Sequence, residues 1–166
     1  QIGQEVSYNE LAQLTGLDNQ TVESYVQILE KAFIVFRLNA FSRNLRNELK
    51  KSRKIYFYDT GIRNVVINQF NPLSLRDDKG ALWENFLVSE RMKFNLSRQR
   101  IVNRYFWRTH AQQEIDYIEE KDAQISAYEM KWDERRQKKM PASFVNAYNP
   151  LITETITTSN VEDFIS

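Results

Sequence analysis

The strongest constraint on the fold is the order of hydrophobic periods between Gly80 and Thr158. The stretch ALWENFLVSERMKFNL places Leu82, Phe86, Leu87, Met92 and Phe94 at helical spacings, predicting about four turns of helix. Three pieces of strand character follow, Arg104 to Thr109, Gln113 to Glu119 and Gln124 to Trp132. A polar helix from Lys138 to Tyr148 and a β-rich segment from Leu151 to Thr158 complete the order α-β-β-β-α-β. Such an order calls for a sheet with helices packed on it, an α+β architecture.

Within this order four residues carry chemical potential. Glu114 and Asp116 alternate with Ile115 and Tyr117, so the two acids are expected on one face of the second strand and the two apolar residues on the other. Glu129 and Lys131, two apart on the third strand, share a face as well. Neighbouring strands lie ~4.8 Å apart, so a suitable register sets Asp116 beside Glu129, and Glu84 on the preceding helix would add a third carboxylate. Two carboxylates ~4 Å apart repel by roughly 4 kcal/mol at an effective dielectric of 20, which calls for a cation or a shared proton. Oxygen ligands favour Mg²⁺ or Mn²⁺, held by Glu84, Asp116 and Glu129, with Lys131 orienting a water or offsetting charge on a phosphodiester. The plainer reading of Glu129 and Lys131 is an ion pair on a strand, worth ~0.2 to 1 kcal/mol.

The spacing Asp116, twelve residues, Glu129, one residue, Lys131 resembles the PD-(D/E)XK nuclease motif, with Ile115 where the motif has proline. The α-β-β-β-α-β order matches the core of that superfamily. The resemblance implies a restriction-endonuclease-like domain over residues 77–166, with Asp116, Glu129, Lys131 and Glu84 as its site.

Residues 1–76 read differently. Ser7 precedes Glu10 at capping-box spacing and Leu11 and Leu14 share a helical face. Gly16 suits a turn, Asp18 or Asn19 can cap a second helix running to about Ala32, and Val22, Tyr25, Val26 and Leu29 form its apolar stripe. Two helices joined by a short glycine turn form a helix-turn-helix, and the spacing from Leu11 to Tyr25 resembles the winged-helix family. Two strand-like stretches follow, Ile34 to Phe41 and Lys54 to Tyr58, and then a short helix capped by Asp59 or Thr60. Between the strands, Arg43, Arg46, Lys50, Lys51, Arg53 and Lys54 make the one marked basic cluster, set against the single acid Glu48. As a wing tip these six cations would grip DNA phosphates with a log-log salt slope of roughly −5. As a plain loop they are a solvated charge run. The second helix presents Asn19, Gln20, Glu23, Ser24 and Gln27, which can hydrogen-bond bases and add no positive charge.

Taken together, the winged helix, KIYFYDTGIRN, GALWENFLVSER, YFWRTHAQQEIDYIEE and AYEMKW resemble the C-terminal region of a large group of bacterial and archaeal AAA+ ATPases, across about Val6 to Phe164. That resemblance implies an N-terminal AAA+ domain as partner and ATP bound only there. Lys54, Asp59, Gly61 and Arg108 fall in its motif stretches.

Composition trims the alternatives. The 166 residues carry 23 basic and 22 acidic side chains, so no general polyanion sponge is present. Zero cysteines exclude disulfides, a thiol nucleophile and thiolate metal sites, and the single His110, expected at a hairpin tip, excludes a histidine metal cage. No G-x-x-x-x-G-K-[ST] phosphate loop, signal peptide or ~20-residue apolar span occurs, so a cytoplasmic location without membrane contact is expected. The start at Gln1 reads as a piece of a longer protein. Two function classes stay open: a DNA-binding or assembly module attached to an ATPase, and a Mg²⁺-dependent DNA phosphodiesterase. An oligomer is compatible with either.

Overall fold

The computed structural model describes residues 5–43, 53–136 and 139–166. Helices α1 (Tyr8–Thr15) and α2 (Asn19–Lys31) lead to strands β1 (Val35–Ala40) and β2 (Arg53–Phe57), then to α3 (Thr60–Val66) and a 3₁₀ turn at Leu73–Leu75. The second half runs α4 (Lys79–Ser97), β3 (Asn103–Arg108), β4 (Glu114–Lys121), β5 (Gln124–Met130), α5 (Ala142–Tyr148), β6 (Ile152–Ile156) and α6 (Val161–Ile165).

The helix starts follow their side-chain caps. Ser7 accepts from the Glu10 N–H at 3.5 Å, Asp18 from Thr21 at 2.9 Å and Asp59 from Ile62 at 2.9 Å. Each oxygen satisfies a first-turn donor that the helix itself leaves unpaired. Gly16 closes α1 in the left-handed region at φ 71°, where a side chain would be strained. At Gly61 the reason is steric instead: a Cβ there would meet Asp59 Oδ1 at 2.8 Å, so glycine keeps the α3 cap intact.

All six strands form one mixed sheet in the order β2-β1-β3-β4-β5-β6. β1 pairs antiparallel with β2 and parallel with β3, and β5 pairs parallel with β6. The expected boundary between residues 76 and 77 falls in the loop before α4, and the sheet runs across it. The two strands expected to carry the wing, β1 and β2, pair at one end of this sheet, with β2 as its edge.

Consecutive residues of the central strands divide between two cores, as alternation requires. Phe106, Tyr117, Tyr128 and Met130 pack with Trp83, Leu87, Val88 and Met92 of α4 and Phe164 of α6. Trp107, Ile118, Ile125 and Ala127 pack with Phe144 of α5 on the opposite side. The sheet is thus covered on both faces.

Two expectations about buried stripes change. On α2 only Val22 and Val26 are buried, while Tyr25 is 55% exposed and Leu29 39%. With Leu14 and Ile28 they give the N-terminal helices, among the described residues, a set of exposed apolar side chains. On α4, which is longer than expected, half of the buried residues are polar: Asn85, Ser89, Arg91 and Asn95 are buried alongside Trp83, Leu87, Val88 and Met92. Asn85 donates to Phe57 O and accepts from Phe57 N, both at 2.9 Å, and so pins the end of β2. Arg91 grips Glu119 through two bonds of 2.9 and 2.8 Å and donates to the Phe164 carbonyl at 2.5 Å.

Candidate functional site

The site grows from four elements: α4, the edge strand β2, and the facing ends of β4 and β5. β4 does not alternate regularly. Tyr105 pairs with Ile118 and Trp107 with Ile115, so two steps on β3 face three on β4, a β-bulge at Asp116 and Tyr117. Ile115 therefore joins the α5-side core and Tyr117 the α4-side core, and the expected sharing of one face by these two residues is corrected. The bulge frees Asp116 from the ladder. Its Oδ2 instead accepts from the Met130 N–H at 2.8 Å, which ties β4 to β5 beside Glu129.

Lys131 joins the two carboxylates. Its Nζ lies 3.1 Å from Asp116 Oδ2 and 2.9 Å from Glu129 Oε2. Across from them, Lys54 Nζ lies 2.9 Å from Glu84 Oε1 and 2.5 Å from Glu114 Oε1, and Tyr56 donates to the same Glu84 oxygen at 2.7 Å. Glu129 and Lys54 are buried, at 0% and 2% exposure, while a quarter of the Lys131 side chain reaches solvent. Four carboxylates and two ammonium groups thus make one polar network between helix and sheet.

The electrostatics show how the network is held. Burial pushes Glu84 up to about 7, against the pull of the Lys54 charge, and the nearby Asp116 charge adds to the rise. Burial also opposes ionisation of Asp116, yet Lys131, Lys54 and the Met130 N–H outweigh it and hold the carboxyl below its ordinary range. Both lysines lose hydration, and their carboxylate neighbours still keep them above the ordinary lysine value. Tyr56, fully buried beside Glu84, is pushed well above the usual phenol value. Near neutral pH Glu84 is therefore the group poised to exchange a proton.

The four residues expected at the site, Glu84, Asp116, Glu129 and Lys131, all fall in this network. Lys54 is a correction. Expected among the phosphate-binding cations, it points inward, because three acids and the Phe106 ring at 5.5 Å surround it. Sequence reasoning also missed Tyr56 and the role of Glu114. The signal for Lys54 was alternation: Lys54, Tyr56 and Tyr58 share one strand face, and the latter two are aromatic. Of the other expected DNA contacts, Arg43 bonds Glu120 and covers Phe41, and Arg53 lies over the Tyr8 ring at 4.2 Å. Arg46, Lys50 and Lys51 lie outside the described residues. Arg108 reaches Glu5 at 3.2 Å, and His110 is exposed in the turn closed by Thr109 and Gln113.

The donor set does not suit a divalent ion as it stands. Among the described residues no three histidine, aspartate or glutamate side chains are grouped to hold a metal. The reason is physical: Lys131 fills the space between Asp116 and Glu129, and Lys54 that between Glu84 and Glu114.

Comparison with known sequences places the chain. Residues 79–161, half of its length, match the family model described as domain of unknown function DUF4143. The chain belongs to the DUF4143 family. Residues 1–73 match a second domain of unknown function, DUF8612. Uncharacterized proteins of Mycobacterium bovis and Mycobacterium tuberculosis are each 30% identical to it over 131 residues, covering 78% of this chain and 29% of the relative. The chain thus spans less than a third of the curated relatives it matches. No solved structure matches it. Against these boundaries the network has a notable composition: Glu84, Glu114, Asp116, Glu129 and Lys131 belong to the DUF4143 stretch, whereas Lys54 and Tyr56 belong to the DUF8612 stretch. The site is closed only where the two matched regions share one sheet.

Proposed function

We propose that this chain is a DNA-binding and assembly module at the C-terminal end of a longer, cytoplasmic AAA+-type ATPase, built from a helix-turn-helix and a PD-(D/E)XK-like domain whose motif residues hold the two together. The observation that carries this reading is the pairing of every motif carboxylate with a lysine, one lysine coming from each matched region. A network closed in this way behaves as a fixed structural element, since separating any partner would strand a buried charge. The exposed apolar side chains of α1 and α2 support attachment to a further domain, because residues such as Leu14, Tyr25 and Ile28 mark a docking surface. The relatives, more than three times as long as the matched stretch, leave room for that domain. ATP belongs to that domain.

The convergence of Glu84, Asp116, Glu129 and Lys131 favours a second reading, a Mg²⁺-dependent DNA phosphodiesterase. It requires the carboxylates to exchange their lysines for an ion. Incubation with supercoiled plasmid in Mg²⁺ or Mn²⁺ separates the two readings. The module reading predicts retention of duplex DNA at low salt, a salt slope lowered by about 0.9 in Arg43→Gln, and no nicking above the Lys131→Ala background. Nicking abolished by both Lys131→Ala and Glu129→Ala would establish the enzyme instead.

A further inference from the structure

Beside the network lies a cavity of about 210 Å³, walled by Leu73, Lys79, Leu82, Trp83, Phe86 and Trp132. Three aromatic rings meet there: Trp83 stacks on Phe86 with centroids 5.8 Å apart and meets Trp132 edge-on at 5.4 Å. Trp83 is 8% exposed, and among the described residues its sealed Nε1–H has no hydrogen-bond partner. Lys79 and Trp132 also wall a shallower cleft that carries Arg135.

The first turn of α4 adds a positive end. Asp78, at its N-cap, makes no capping bond, because Arg63 and Arg76 hold its carboxylate at 2.7 to 2.8 Å. Among the described residues the Lys79 ammonium reaches the Ser74 carbonyl at 3.5 Å, a long bond, and with the positive end of α4 it favours an external anion. The acids of the shallow cleft are engaged, Asp133 by Arg135 and Glu134 by Thr158.

We propose that this pocket receives one unpaired nucleobase of a DNA strand. The base lies against Trp83, Phe86 and Trp132, and its phosphate turns toward Lys79 and the start of α4. The cavity has room for a single base and not for a base pair, so the strand must be open there. Because Trp83 adjoins Glu84 and Trp132 adjoins Lys131 in the chain, the pocket reads the nucleotide next to the network. This inference rests on the reading of the chain as a DNA-binding module.

Two signals test it on the same samples: tryptophan fluorescence, quenched when a base stacks, and anisotropy of a labelled strand, which reports any binding. Trp107, sealed in the α5-side core, contributes a constant background. A twelve-residue oligo(dT) is expected to quench and to bind at least tenfold more tightly than a fully paired hairpin. Trp132→Ala is expected to weaken binding by about tenfold or more, the range of one lost base stack. Lys79→Glu, at a half-buried position that belongs to neither core, is expected to weaken it and lower the salt slope. Binding by anisotropy without quenching, or unchanged in both Trp132→Ala and Lys79→Glu, overturns the pocket and leaves the module reading standing. Equal affinity for the hairpin overturns the pocket too, and no binding of either DNA at low salt overturns both.

Discussion

Replacing Lys54 by methionine gives the sharpest view of the network. The substitution keeps the length and apolar stem of the side chain and removes one charge that is 2% exposed. Two carboxylates at 2.9 and 2.5 Å, Glu84 and Glu114, lose their partner, and Asp116 loses part of its field. Stranding a buried charge in this manner costs about 3 to 5 kcal/mol. At about 2 to 4 °C per kcal/mol for a chain of this size, the melting temperature at pH 8.5 should fall by roughly 6 to 20 °C. The loss should shrink at pH 6. Glu84 already titrates at about 7, and without Lys54 its pKa moves higher still, so a proton replaces the missing cation as pH falls. Thermal melts of both proteins from pH 5.5 to 9, followed by far-UV circular dichroism, measure the difference. A loss under ~1 kcal/mol, or one that does not change with pH, refutes the inward placement of Lys54. An unchanged melt with weakened DNA retention would return Lys54 to the surface cluster.

Other substitutions probe the surrounding structure. In the unaltered chain Glu84 binds a proton in the folded form at pH values where the unfolded chain, with its usual 4.5, has lost it. Its contribution is thus complete below pH 4.5 and lost as pH rises through about 7, up to roughly 3 kcal/mol at 1.36 kcal/mol per unit. Glu84→Gln should flatten the melting profile between pH 5 and 8, and a profile that keeps its slope would place the titration elsewhere. Arg91→Met, which leaves Glu119 buried without its guanidinium, should cost about 3 to 5 kcal/mol in urea unfolding, with the deficit reduced when Glu119 is also replaced by leucine. A double variant as unstable as the sum of the single ones would show that the pair does not interact.

Much of the local structure was legible because local chemistry decides it. Ser7, Asp18 and Asp59 cap helices in the sequence and in the fold, and Gly16 ends α1 where its φ of 71° demands it. The strand positions were readable from alternation. Four features were hidden, the first three for a non-local reason. The parallel pairing of β1 with β3 joins segments some 65 residues apart and fuses the two halves into one sheet, which no periodicity can announce. The buried polar residues of α4 defeat a hydrophobic-stripe reading, since Asn85, Arg91 and Asn95 are buried for their hydrogen bonds to the sheet or its neighbours. The bulge at Asp116 breaks strict alternation and reassigns Ile115 and Tyr117 to different cores. α6, a five-residue helix whose Phe164 plugs the core beside Tyr117 and Tyr128, was too short to stand out. At the site, Asp116, Glu129 and Lys131 were picked out by spacing and Glu84 by its place on the preceding helix, whereas their partners Lys54 and Tyr56 came from another region of the chain and became visible only in three dimensions.

The motif carboxylates each face a lysine, and the module reading takes them as filled rather than set out for an ion. Electron paramagnetic resonance of free Mn²⁺ tests it, because bound Mn²⁺ drops out of the signal. Titration of the chain at pH 7.5 should show no site tighter than about millimolar, with Asp116→Asn and Glu129→Gln no different. A stoichiometric micromolar site that either substitution removes would contradict the account.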